Sequence, residues 1–315
     1  MFEHLQYRTR HPNPQRMEMN TQLISAVLTN NVAALRICLM RGANANSRIN
    51  EGSKTALMIA ATLGFTKILH ILLSRGASLN AKDNDGNFAI HLAAEHGHLE
   101  CVRLLMEKKC LANVGNNSYH TPLMLAAAKG HVHIVNHLLD NGVNMIYKLN
   151  KNEESELFLA AAHNHSEIVK VLTSRANVNI NRKEELNATY SFALLHSCNE
   201  VIEALLSAGA DVNNLENAKI PSIFTAISRQ NVDIVKTLHK YGADLNAVVE
   251  DGYNALMHAT AEDNVEAVEY LISLGANINA RTKVSCLTAF DIAVKENNTR
   301  ILATLLNSKR LQLDE

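Results

Sequence analysis

Apolar and polar positions along the chain follow the spacing of amphipathic helices. Residues 120–144 read HTPLMLAAAKGHVHIVNHLLDNGVN, in which an Ala-rich helical stretch precedes a second apolar stretch. In the second stretch, positions 134, 135, 138 and 139 are apolar and fall on one face of a helix. Gly142 follows closely, and glycine readily takes the left-handed conformation that ends many helices. The segment therefore predicts two helices joined by a tight turn.

The same pattern recurs along most of the chain. Residues 54–80 and 253–279 align with residues 120–144, and equivalent positions are separated by 33 or 34 residues. With Thr121 as the reference position, the equivalents are Thr21, Thr55, Phe88, Ser155, Ala188, Pro221, Asn254 and Thr288. A fixed period of this length is typical of a solenoid in which one unit stacks on the next. We therefore expect about nine repeats.

The repeat resembles that of a known family. The segments TPLMLAAAKGH, FAIHLAAEHGHLECVRLL and LLSAGADVN are similar to ankyrin repeats, and the similarity extends from about residue 17 to near residue 309. It implies an all-α solenoid of stacked helix pairs with short β-hairpin-like finger loops, in which the first and last repeats act as caps. Residues 1–16 carry three arginines and no periodicity, so we assign them to a flexible basic tail and residues 17–315 to the repeat domain.

Some repeats depart from the pattern. Lys109 stands where a glycine ends most of the other second helices, and a non-glycine residue held left-handed costs about 1 kcal/mol. Repeats 5 to 7 lose the Thr-Pro signature, so we expect irregular loops there.

Charge and cysteine usage narrow the class of protein. The net charge is −1 with a pI near 7.0, so no overall field attracts nucleic acid or an anionic membrane. The N-terminus lacks the layout of a signal peptide and no apolar run is long enough to span a membrane. The five cysteines are scattered without metal-site spacing. These features predict an intracellular, cytoplasmic protein with reduced thiols.

The histidines of HLAAEHGH, residues 91–98, raise the alternative of a metal site. The resemblance instead implies structural positions, because His91 occupies the family's Thr-Pro-Leu-His position and His98 its Gly-His position, which His131 and His165 repeat. A metal site built on the pairs His96/His98 or His163/His165 lacks a cysteine or carboxylate at a recognisable spacing. We expect neither a metal nor a cofactor.

An enzyme is the competing class. The chain contains no GxGxxG, GxxxxGK[ST], GxSxG or HExxH motif. Cys198 lies two residues after His196, which is the one thiol–imidazole combination that favours nucleophilic chemistry. However, Cys198 also occupies the Gly-His position, at a turn between two helices, where a structural role is expected. We therefore expect no catalytic residues.

The resemblance implies a protein-binding surface on the finger tips and the C-terminal ends of the first helices. Eight residues after the reference position, repeats 3 to 7 share a column of cationic or imidazole side chains: His96, Lys129, His163, His196 and Arg229. This column favours a partner with an acidic segment, although cations also complement the C-terminal helix dipole without any partner. The finger candidates are Asp85, His120, Lys151, Asp251 and Tyr253, with Tyr253 as the expected aromatic anchor.

Asn213, in LLSAGADVN, occupies a position that an asparaginyl hydroxylase modifies in some ankyrin repeats. Its alternative role is to stabilise the turn by local hydrogen bonds.

We predict a monomeric adaptor or scaffold that binds another protein. The alternative is an effector that an intracellular bacterium delivers into a host cell to bind a host protein.

Overall fold

The computed structural model describes residues 14–49, 53–143, 149–175, 180–213 and 220–311. The chain forms two compact units, Met1–Leu159 and Ala160–Glu315, and we call them the N-terminal unit and the C-terminal unit. The described residues contain eighteen α-helices in nine pairs and no strand. Isolated β-bridges join Arg48 to Thr55 and Val248 to Asn254 in the loops before two helices. The predicted all-α repeat fold with hairpin-like fingers is confirmed.

The N-terminal unit holds the first four helix pairs. Their helices are α1 (Pro14–Leu28), α2 (Val32–Met40), α3 (Ala56–Thr62), α4 (Thr66–Ser74), α5 (Ala89–Glu95), α6 (Leu99–Glu107), α7 (Pro122–Ala128) and α8 (Val132–Asp140). The unit boundary falls inside the next helix, α9 (Glu156–Ala162).

The C-terminal unit continues with the same alternation of a first and a second helix. Its helices are α10 (Ser166–Arg175), α11 (Ile180–Leu195), α12 (Asn199–Ser207), α13 (Ser222–Ser228), α14 (Val232–Lys240), α15 (Ala255–Ala261), α16 (Val265–Ser273), α17 (Ala289–Lys295) and α18 (Thr299–Leu311). A 3-10 turn, Glu250–Gly252, lies in the finger loop before α15.

Several first helices begin at a side-chain N-cap. The hydroxyl of Thr121 accepts the amide N–H of Met124, and Thr55, Asn254 and Thr288 act in the same way. These helices have only seven residues, and in α7 Leu123, Met124, Ala126 and Ala127 are all buried. Small alanines allow neighbouring first helices to pack closely.

Second helices bury one apolar stripe and end at a left-handed residue. Ile134, Val135 and Leu138 of α8 are buried, as their spacing predicts. The glycines that follow second helices have φ between 80° and 97°, namely Gly42, Gly76, Gly142, Gly209, Gly242 and Gly275. Lys109 takes the same conformation with φ of 61°, so the predicted departure from glycine is confirmed.

Repeats 1 and 6 begin differently from the others. Their first helices have 15 and 16 residues, and the reference positions Thr21 and Ala188 lie inside them rather than at N-caps. One residue earlier, Asn20 and Asn187 each accept a backbone N–H at 2.9 Å from a residue 24 positions later, Asn44 and Asp211 respectively. Repeat 6 is therefore built like the terminal repeat 1.

The start of α1 at Pro14 places three residues of the predicted tail in a helix. Proline fits the first turn of a helix because it needs no amide hydrogen there. Residues 1–13 lie outside the described residues, so the rest of the tail assignment stays a prediction.

Candidate functional site

The histidines of the Gly-His positions connect neighbouring repeats. His98 Nε2 lies 2.9 Å from the carbonyl oxygen of Thr62, and His131 Nε2 lies 3.0 Å from that of Glu95. The His98 ring packs so closely on Gly64 that a Cβ there would lie 2.5 Å from the ring. These two rings occupy the structural role that the resemblance implies.

His91 is fully buried, and its Nδ1 accepts the amide N–H of Phe88 at 3.2 Å. Burial lowers the pKa of His91 to about 4, although the backbone carbonyls of Val114 and His120 partly oppose this effect. The ring is therefore neutral at physiological pH, and it accepts a hydrogen bond from the N-cap residue of α5. In the part of the chain that the structure describes, no three His, Cys, Asp or Glu side chains are grouped to hold a metal ion.

The predicted column consists of exposed residues at the ends of first helices. In the N-terminal unit, His96 and Lys129 are the C-cap residues of α5 and α7, and both side chains are exposed. His96 Nδ1 lies 2.9 Å from the carbonyl oxygen of Leu92, one turn earlier.

In the C-terminal unit, Arg229 is the C-cap residue of α13, and its side chain is exposed, as are those of His163 and His196. The His163 ring stacks on His165, and the His196 ring lies 4.2 Å from the Phe192 ring.

The finger candidates differ in exposure. Asp85 and Lys151 are exposed. His120 is half-buried, with Nε2 2.9 Å from the amide nitrogen of Asn150. The backbone carbonyl and the carboxylate of Asp251 accept the N–H groups of residues 283 and 284, so Asp251 holds the adjacent finger in place.

The expectation that Tyr253 stands at an exposed tip is wrong. Its ring is half-buried and lies edge-on to His258, while its hydroxyl donates to the carbonyl oxygen of Met257 at 3.2 Å. Burial raises the pKa of the Tyr253 phenol. The exposed finger aromatic in the described ranges is Tyr119, with 58% of its surface accessible and Lys151 Nζ 6.0 Å from its ring.

Sequence reasoning missed Tyr119, although a signal was present. Tyr119 lies two residues before the reference position, where Gly86 and Gly252 stand in repeats 3 and 8. All three residues have positive φ, and that of Tyr119 is 62°. Ser53, Glu153 and Cys286 have positive φ at the same position of other repeats, so this conformation belongs to the finger turn, and the signal was the aromatic side chain at an exposed turn position.

The C-terminal unit contains an open groove of about 610 Å³. It is lined by Leu195, Ile220, Phe224, Thr225, Ser228, Arg229, Val249, Glu250, Tyr253 and His258. The groove brings together two of the predicted residues, Arg229 and Tyr253, with apolar residues that the sequence pattern did not single out.

A polar contact at the groove is centred on His258. Its Nε2 lies 2.7 Å from the Ser228 hydroxyl and 4.0 Å from a carboxylate oxygen of Glu262. Burial lowers the pKa of His258, and the nearby Glu262 partly opposes this effect. The neutral ring is therefore favoured as a hydrogen-bonding partner of Ser228.

Both polar atoms of the Asn213 amide reach the next repeat. Its nitrogen donates to the carbonyl oxygen of Gly242 at 3.1 Å, and its oxygen accepts the N–H of Asp244 at 3.1 Å. Asn46, in the loop after α2, makes the same pair of contacts with Gly76 and Ser78 in the loop after α4. Asn213 thus joins two repeats, and its hydroxylation stays a prediction.

Cys198 and His196 do not form a nucleophile–base pair. Cys198 Sγ lies 3.8 Å from the backbone carbonyl of His196, while the His196 ring packs on Phe192. Burial raises the pKa of the Cys198 thiol, which disfavours the reactive thiolate.

The family comparison covers most of the chain. The family model described as "Ankyrin repeats (3 copies)" matches residues 2–83, 76–148, 191–282 and 223–314, and the "Ankyrin repeat" model matches residues 152–183. No curated protein matches the sequence. Across the described residues, no helix combines the length and apolar character that a membrane crossing requires.

Proposed function

Since the chain belongs to the ankyrin repeat family, whose repeats are general protein–protein interaction modules, we propose that it is a non-enzymatic adaptor. It binds a partner protein through the C-cap residues of its first helices and through its finger loops. The adaptor acts as a monomer and recognises an acidic segment of the partner.

The exposure of the C-cap residues is the observation that carries this proposal. Almost every other residue of these short helices is buried between neighbours, whereas the C-cap side chain is exposed. The helix dipole alone does not determine which type of residue occupies the C-cap position, since Leu63 and Glu262 occupy it in repeats 2 and 8. The run of cations and imidazoles in repeats 3 to 7 is therefore consistent with selection for a ligand.

Affinity capture with charge-reversed variants tests this proposal. The full chain carrying both Lys129→Glu and Arg229→Glu is compared with the wild type as bait for cytosolic proteins, with quantification by mass spectrometry. We expect a specific protein to be retained by the wild type and depleted about tenfold or more by the variant, because reversed charges repel an acidic segment.

The matched control reverses Lys67 and Lys170, which are exposed on second helices. This control should retain the same protein, and circular dichroism should show all three proteins folded. Equal retention by the folded Lys129→Glu/Arg229→Glu variant contradicts a role for the C-cap residues.

A further inference from the structure

The groove of the C-terminal unit exposes apolar surface that folding does not bury. Leu195 and Ile220 line it and remain 49% and 51% exposed, while Phe224 lies at its base with 3% exposure. Equivalent positions to Leu195 hold Thr62, Glu95 and Ala128 in other repeats. Clustered exposed apolar side chains mark binding sites more often than single ones do.

The groove carries opposite charges on different elements. Arg229 lies at the end of α13, and Glu250 lies in the finger loop before α15. Both side chains are exposed, and neither has an ion-pair partner within the described ranges. A ligand that pairs with both Arg229 and Glu250 must itself carry an acidic group and a basic group.

The length of the groove suits a short segment of extended chain. Its lining comes from α11, α13 and α15, which are successive neighbours. Helices that pack side by side are about 8–10 Å apart, so three of them extend over roughly 20 Å. An extended chain advances about 3.3 Å per residue, which corresponds to about six residues.

We propose that this groove binds an extended peptide segment with one bulky apolar side chain against Leu195 and Phe224, an acidic residue beside Arg229 and a basic residue beside Glu250. This inference rests on the proposed function, because it names the segment of the partner that the C-terminal unit recognises. The charges fix the direction of the segment, and the apolar side chain supplies most of the affinity.

Selection from a displayed library of random peptides tests this inference on the full chain. The wild type should enrich peptides with Leu, Ile, Phe or Met near an acidic residue. The Arg229→Glu variant should instead enrich Lys or Arg in place of the acidic residue. A reversal of this preference is specific to direct charge recognition and does not follow from altered stability.

A synthetic fluorescent peptide with the enriched sequence then tests the apolar contact. Leu195→Asp should weaken its binding by about tenfold or more. Leu306→Asp is the matched control, since Leu306 is also 50% exposed but lies outside the groove, and it should leave the affinity unchanged. If Leu195→Asp fails to fold, the change in charge preference of the peptides selected by Arg229→Glu still tests the inference.

The inference is overturned if no peptide is enriched, if Arg229→Glu keeps the acidic preference, or if folded Leu195→Asp binds the peptide as tightly as the wild type. These failures differ from failure of the proposed function. A partner that is captured by the wild type and by folded Leu195→Asp, but lost with Lys129→Glu, would retain the adaptor role while excluding the groove.

Discussion

Single residues held in the left-handed conformation show where a repeat departs from its ideal sequence. Lys109 has φ of 61° at the position that glycine occupies after most other second helices, and its side chain is exposed. Lys109→Gly should therefore raise the free energy of unfolding by about 1 kcal/mol, since it removes backbone strain without losing a buried contact. Urea denaturation followed by circular dichroism measures the change.

Gly142→Ala is the matched control, because Gly142 has φ of 80° and open space around its Cα. It should lower stability by a similar amount. An unchanged or lower stability of Lys109→Gly would show that Lys109 is not strained.

His91 makes stability depend on pH. Its folded-state pKa is about 4, below the ordinary value of about 6.5 that it regains on unfolding. Between these values the unfolded chain binds a proton that the folded chain excludes, so stability falls as the pH falls. From about pH 7.5 to about pH 5 the contribution is a loss of about 2 kcal/mol.

His91→Met tests this contribution, because Met58, Met124 and Met257 occupy the equivalent position in other repeats. The variant should lose about 2 kcal/mol less than the wild type over the same acidification, as measured by urea denaturation. His133→Gln, at an exposed position, should behave like the wild type. Equal pH dependence of wild type and His91→Met would mean that His91 is not neutral when folded.

The roles of individual aromatics could be only partly predicted from the sequence. The repeat pattern places Tyr119 and Tyr253 in finger loops, two residues and one residue before their reference positions. It does not give the direction of the side chain. The Tyr119 ring is exposed, whereas the Tyr253 ring turns inward against His258.

At the scale of structural elements, His98 of one repeat packs against Gly64 of the preceding repeat. A Cβ on Gly64 would strain the backbone and meet the His98 ring, whereas a Cβ on Gly76 has similar φ and no neighbour within 4 Å. Gly76→Ala should cost about 1 kcal/mol from backbone strain. Gly64→Ala should cost roughly 1–2 kcal/mol more, because it displaces the ring from the Thr62 carbonyl.

A double-mutant cycle with His98→Ala isolates this contact. In the His98→Ala background, Gly64→Ala should cost no more than Gly76→Ala does, as measured by urea denaturation. If Gly64→Ala costs the same with and without the His98 ring, packing between these repeats does not depend on this contact.

The period predicted the start of most first helices even where no side-chain N-cap is present, since α5 and α13 begin directly after Phe88 and Pro221, which form no side-chain cap hydrogen bond. Thr55, Thr121, Asn254 and Thr288 all supply a side-chain acceptor, and each begins a helix. The period continues unchanged through Ala188, but alanine offers no acceptor, and α11 extends eight residues further upstream. Loss of the cap alone did not predict the long helix of repeat 6, because Phe88 and Pro221 also form no side-chain cap but begin helices of seven residues.

At the scale of the whole molecule, the period of the apolar pattern was sufficient to predict the class of fold. Each repeat buries its apolar positions against its neighbours, so the same spacing gives the same helix pair. The binding surface could not be predicted to the same extent, because it consists of the positions that packing leaves free. The groove in particular combines Leu195, Phe224 and Glu250 from three different repeats.

Hydrogen exchange of the full chain, alone and with its captured partner, tests the central claim most directly. Partner binding should slow exchange at the ends of the first helices and in the finger loops, including the segments around Tyr119 and Lys129. The second helices α6 and α8 should exchange at unchanged rates. Protection confined to the second helices, with unchanged exchange at the first-helix ends and fingers, would contradict the proposed binding surface.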